Sequence, residues 1–138
     1  MSKENKAIVR GYLEQVWNEG RLDRFEEFMA QDVVPHGGPA VTDAKSMKKA
    51  LATFRGAFPD VNIALDDELA VGDKVVTRYT ISGTHQGDFN GIPATGKQAV
   101  WSGITIFRLA GGKIVEWWLQ ADNLGMMQQL GVIPAPAA

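Results

Sequence analysis

The chain has 138 residues, 45% hydrophobic and 22% charged, with 15 Gly, 6 Pro and no Cys, which is the composition of one ordinary globular domain with a full core. Without cysteine there are no disulfides, thiolate metal sites or cysteine nucleophile. The 14 basic and 16 acidic residues are mixed along the chain and leave no electrostatic footprint for nucleic acid or an anionic membrane. No apolar run reaches the roughly 18 residues of a membrane span. The start, MSKENKAIVR, is charged and lacks the apolar stretch of a secretory signal, so a cytoplasmic protein is expected.

The first third reads as helical. Ile8, Val9, Tyr12, Leu13, Val16 and Trp17 form one stripe on a 3.6-residue period, ended by Gly20. A short second helix places Leu22, Phe25, Phe28 and Met29 on one face. Residues 31–42, with two prolines and two glycines, read as irregular. Thr42 or Asp43 caps a third helix whose inner face is Met47, Ala50, Leu51, Phe54 and Phe58.

From Val61 the period changes to two. Strands are predicted over 61–71, 74–85, 97–109 and 113–121, with turns at Gly72-Asp73 and Gly111-Gly112 and a loop, GDFNGIPATG, over 87–96. Asp122 then opens a short helix ended by Gly131. The predicted organisation is a single domain over 1–131 with a tail over 132–138. Its class is α+β, with three N-terminal helices on a strongly curved, mostly antiparallel sheet. Strands this long must bend to stay within a domain of this size, and Gly83 and Gly103 are the expected places for a bulge or bend. A curved sheet closed by helices forms a cone with an internal pocket.

Several segments are similar to one known family: GTHQGDFNGIPATGK (83–97), IFRLAGGKIVEWW (106–118), DNLGMMQQLG (122–131), the helix ending WNEGRLD, and DVVPH (32–36). On these the chain resembles the SnoaL-like polyketide cyclases of the nuclear transport factor 2-like superfamily. The resemblance implies a cone-shaped α+β fold, a homodimer, an apolar pocket and no metal or organic cofactor. It further implies ring closure by intramolecular aldol condensation, with an acid/base Asp on the last strand and a supporting His on the strand before. Those two positions fall on Leu119 and Thr105, which can supply neither group. The ligand expected is a small hydrophobic, carbonyl-bearing or polycyclic molecule. If the protein is an enzyme, cofactor-free cyclase, isomerase or hydrolase chemistry is expected. The alternatives are a non-catalytic ligand-binding protein, or a structural role in which the exposed sheet face mediates assembly.

The catalytic candidates are His36, Asp122 and Arg78. His36 is a candidate proton carrier at the start of the irregular segment. Asp122 is the acid nearest the end of the last strand, and also a natural cap for the helix after it. Arg78 shares a strand face with Val76, Thr80 and Ser82, where it either reaches a ligand oxygen or pairs with a carboxylate such as Glu116. Arg108 reads as a solvated charge, and His85 as a structural residue where its strand becomes a loop. The candidate substrate-binding residues are Trp17, Phe54, Phe58, Trp101, Thr105, Trp117 and Leu119, a mainly apolar set suited to a flat ligand. The Gly96-Lys97 pair lacks the Ser or Thr of a phosphate loop, and two histidines without ligand spacing make no metal motif.

Overall fold

A computed structural model describes residues 2–37 and 41–134. Helix α1 (Ser2–Gly11) continues as a π-helical stretch (Tyr12–Asn18), and a 3₁₀ turn (Leu22–Arg24) leads into α2 (Phe25–Phe28). Then follow β1 (Met29–His36), α3 (Ala44–Ala57), β2 (Asn62–Val71), β3 (Lys74–Thr84), β4 (Gln98–Ala110), β5 (Lys113–Ala121) and α4 (Asn123–Gln129). The strands form one open sheet in the order β1-β5-β4-β3-β2, antiparallel except for the β1–β5 pair. The expected α+β class, helices packed on a mostly antiparallel sheet, is the observed one, with β1 lying in the chain between the second and third helices. Residues 38–40 of the segment expected to be irregular, and 135–138 of the expected tail, lie outside the described residues.

Two local expectations are corrected. Residues 29–36 form an edge strand, with Val34, Pro35 and His36 opposite Glu116, Trp117 and Trp118, whereas the sequence pattern puts Met29 on the second helix and 31–36 in an irregular segment. An edge strand tolerates Pro35 because one row of its backbone groups needs no ladder partner. The second correction concerns Gly83 and Gly103. The β3–β4 register runs unbroken from Lys74↔Arg108 to Thr84↔Gln98, so neither glycine is a bulge. They leave room for rings instead: a Cβ at Gly83 would lie 3.1 Å from the Phe58 ring, and one at Gly103 2.8 Å from the Tyr79 hydroxyl. The register shifts lie in β2–β3 at Leu65/Asp67, in β4–β5 at Arg108/Leu109 and in β1–β5 at Met29/Val34.

Period-two alternation sorts the side chains onto two sheet faces, and coverage by the helices buries one of them. Val75, Thr77, Tyr79 and Ile81 of β3 turn inward, with Ala99, Trp101, Thr105, Phe107 and Leu109 of β4 and Ile114 and Trp117 of β5. Against them pack Val9, Tyr12, Leu13 and Val16 from the first helix, Met47 and Leu51 from α3, Phe58 just after it, and Met126 and Leu130 from the C-terminal end. A reciprocal cap fixes the start of α3: Ser46 N–H donates to Asp43 at 2.8 Å, and Asp43 N–H donates to the Ser46 hydroxyl at 3.0 Å.

Asp122 caps α4, accepting from Gly125 N–H at 2.9 Å. Asp122→Ala is expected to cost about 1 kcal/mol and Asp122→Asn almost nothing, because asparagine caps as well as aspartate. Thermal melting of the two variants checks this.

Candidate ligand-binding site

The site is built where the helices meet the inner sheet face. The π-helical stretch places Tyr12 and Trp17, five residues apart, side by side, and the Trp17 indole N–H donates to the Tyr12 hydroxyl at 3.1 Å. Such stretches are often found at functional sites. Its end is pinned from two sides. The Asn18 amide donates to Ile63 C=O at 3.0 Å and accepts from Ile63 N–H at 2.6 Å. The Arg55 guanidinium donates to the Trp17 carbonyl.

Phe54, in the last turn of α3, and Phe58, the residue that caps its C-terminus, stack at 5.0 Å. Trp101 lies 6.1 and 5.7 Å from them, and the Trp17 ring meets Phe54 at 5.5 Å. Phe89, from the 87–96 loop, adds a further ring 5.7 Å from Phe54. Trp17, Phe54, Phe58 and Trp101 are thus brought into one aromatic cluster. Trp117 lies on the same inner face opposite Phe107, its indole N–H on Met47 Sδ at 3.3 Å. Thr105 and Leu119 are direct cross-strand neighbours. Trp17, Phe54, Phe89 and Leu119 are only half-buried.

Within this apolar surround lies a line of neutral polar groups. Tyr79 and Thr105 hydroxyls are 2.8 Å apart, and the Thr77 hydroxyl donates to Thr105 C=O at 3.0 Å. Burial pushes the Tyr12 and Tyr79 hydroxyls above the ordinary tyrosine value, so both stay protonated. Among the described residues, the fully buried polar side chains are Thr77, Thr105 and His85, and no charged one joins them. At the β2 edge the Glu68 side chain also turns inward, bonded to Arg10 at 2.7 Å through one oxygen, with its other oxygen buried and without a hydrogen-bond partner among the described residues. Tyr12, Tyr79 and Glu68 are absent from the sequence-predicted set, since their convergence depends on strand register and on which sheet face is covered. No three His, Cys, Asp or Glu side chains among the described residues group to hold a metal.

The catalytic candidates lie elsewhere. His36 is on the outer sheet face, its Nε2 2.8 Å from Glu116 and its ring stacked 5.3 Å from Trp118. Arg78 is also outer-facing and pairs with Asp67 at 2.7 Å and more loosely with Asp66 at 3.8 Å, not with Glu116. Glu116 instead takes Arg108 at 2.9 Å, so Arg108 is a paired residue. Arg78 and Asp122 border one open depression of about 300 Å³, together with Ser102, Ile104 and Gln120. His36 is not part of it.

The His36 bond, and then the Arg108 bond, hold the Glu116 carboxyl below its ordinary range. A lowered folded value means a contribution that is present above the unfolded glutamate value, about 4.3, and lost as pH falls through the folded one. Glu116→Gln is therefore expected to remove part of the acid sensitivity of folding below about pH 4.3, read from urea midpoints across pH.

The fold is thus a layered α+β one, an open five-stranded sheet whose inner face carries an aromatic cluster and a line of neutral hydroxyl groups. Residues 7–130 match the SnoaL-like polyketide cyclase family, and the chain belongs to it. It is 26% identical over 132 residues to the aklanonic acid methyl ester cyclase DauD of Streptomyces sp. strain C5, covering 90% of this chain and 80% of that one. It is 27% identical over 129 residues to DnrD of Streptomyces peucetius, a cyclase of the same name, covering 90% and 88%. The structure of TsrD from Streptomyces laurentii superposes with a TM-score of 0.87 at 26% identity, covering 96% of this chain and 98% of that one. No helix among the described residues is long and apolar enough to cross a membrane.

Proposed function

We propose that the protein binds a small hydrophobic, carbonyl-bearing or polycyclic molecule between the inner sheet face and the aromatic cluster. One observation carries this reading: the interior combines large rings with neutral hydroxyl groups and has no fully buried charge among the described residues. Such a lining favours a neutral ligand with a few acceptor oxygens over an anion or cation. The rings are already in contact with one another, so a ligand is admitted by displacing the half-buried Trp17 and Phe54. A cytoplasmic location and the absence of a cofactor belong to the same reading. So does a homodimer through the outer sheet face, where Val34, Val100 and Ile104 are exposed; sedimentation at micromolar concentration tests it.

The binding test is a thermal-shift panel of polycyclic ketones and β-keto esters. A ligand at 100 times its Kd stabilises the folded state by about 2.7 kcal/mol, an easily read shift. Indifference to the whole panel counts against the reading.

A second reading keeps cofactor-free acid/base chemistry of the cyclase, isomerase or hydrolase type, with Asp122 and His36 as proton carriers and Arg78 on an oxyanion. Its support is that Arg78 and Asp122 share one depression and that the named relatives DauD and DnrD are cyclases. The Leu119 and Thr105 side chains weigh for the binding protein instead. Assay of β-keto esters and anthraquinone precursors with His36→Ala and Asp122→Asn decides. Turnover that falls at least about tenfold in either variant supports catalysis by these groups. Turnover unaffected by both removes them from the mechanism.

A further inference from the structure

His85 closes β3 on its inward-facing side and is fully buried. Its backbone holds the following loop: its N–H donates to Lys97 C=O at 2.9 Å, and its C=O accepts from Gly96 N–H at 2.8 Å. The ring makes a second attachment. Nδ1 accepts from Thr95 N–H at 3.2 Å and lies 3.0 Å from the Thr95 hydroxyl. A backbone N–H can only donate, so Nδ1 carries no proton, and the neutral ring has its hydrogen on Nε2.

That Nε2–H is buried and has no acceptor among the described residues. Its surroundings are those of the aromatic cluster: the ring stacks on Phe58 at 5.4 Å, and Phe58 in turn packs on Phe54, Phe89 and Trp101. Holding the loop needs only the backbone and Nδ1. An apolar side chain of similar size would fill the same space without leaving a donor unmet, and a buried donor left unmet is a standing cost that native proteins mostly avoid. The unmet group is therefore a feature that a purely structural role does not account for. It is a fixed, uncharged donor buried beside the aromatic cluster, and its complement is a neutral acceptor such as a carbonyl oxygen.

We propose that His85 Nε2–H binds the carbonyl oxygen of the ligand, which makes His85 the residue that selects a ketone over the matching hydrocarbon. The inference rests on the binding reading above and adds the chemical class it selects. Loop and ligand are then linked through one ring, Thr95 setting the tautomer that the ligand oxygen reads.

The probes are 9-fluorenone and fluorene, one flat tricycle with and without a carbonyl, titrated by tryptophan fluorescence. His85→Asn keeps an amide oxygen near the Nδ1 position for Thr95 and removes the Nε2 donor; His85→Gln restores a donor near Nε2. The expected result is a fluorenone-to-fluorene affinity ratio about tenfold higher in wild type than in His85→Asn, recovered in part by His85→Gln. Should His85→Asn not fold, wild-type protein alone decides. The chain has two histidines, so ¹⁵N-histidine labelling resolves both rings by NMR. The His85 Nε2–H signal is expected to move with fluorenone and not with fluorene. An unchanged affinity ratio in folded His85→Asn, or an Nε2–H signal that both probes leave alone or move equally, overturns the inference and leaves the binding reading standing. Failure of both probes to bind wild type at all overturns the binding reading and the inference with it.

Discussion

Phe58→Ala is expected to lower the stability of the domain by about 3–5 kcal/mol, the usual cost of emptying a fully buried phenylalanine site. Phe58 is wholly buried, stacks on Phe54 and His85, and meets Phe89 and Trp101 at 5.8 and 5.7 Å. Gly83 leaves out the Cβ that would press on this ring, so the sheet is shaped around it. Alanine would leave a void walled by aromatic rings on stiff elements, which collapse little. Against a typical total of about 5–15 kcal/mol, that loss is a large fraction. Urea denaturation should show a lower midpoint with an unchanged slope. Phe58→Leu, nearer in volume, should lose roughly half as much or less. A loss below about 1 kcal/mol for Phe58→Ala would mean that the cluster is not the packed centre described.

Gly87→Ala is expected to cost about 3 kcal/mol, at the upper end for an inserted methyl group. A Cβ at Gly87 would stand 2.3 Å from the Gly56 carbonyl oxygen and 3.3 Å from Ala57 Cα, all of it backbone. No side chain can swing away to relieve that contact. The chain leaving β3 would have to lift off the end of α3, breaking the bonds from Gln86 and Gly87 N–H to Ala57 C=O at 2.9 and 3.2 Å. The His85–Thr95 attachment lies beside them, so loop 87–96 should loosen too. Thermal melting gives the cost, and amide hydrogen exchange shows whether protection of His85 and Gly96 falls with it. A melting temperature equal to that of wild type would contradict the close approach.

The fold was legible where one pattern dictated one structure. The stripe from Ile8 to Trp17 announced a helix, alternation after residue 61 announced strands, and Asp122 before an apolar run announced a cap. Strand β1 was hidden because Met29–His36 has no clear alternation, contains a proline, and is a strand only through pairing with β5, some eighty residues away. That pairing also decides where His36 goes: parallel to β5, it falls opposite Trp118 and within reach of Glu116 on the outer face. The π-helical stretch leaves no mark, because its residues would make the same apolar stripe in an α-helix. Alternation correctly separated Arg78 from Tyr79 but not which of the two faced inward. Only coverage by helices settles that, and with it the placing of Tyr79 beside Thr105.

The most direct measurement is a crystal structure of the protein grown with 9-fluorenone. The expected result is the tricycle on the inner sheet face beside Phe58 and Trp101, its carbonyl oxygen on His85 Nε2, with Trp17 and Phe54 displaced to admit it. Fluorenone found only in the outer depression bordered by Arg78, Ser102, Gln120 and Asp122, with the aromatic cluster undisturbed, would contradict an interior binding site.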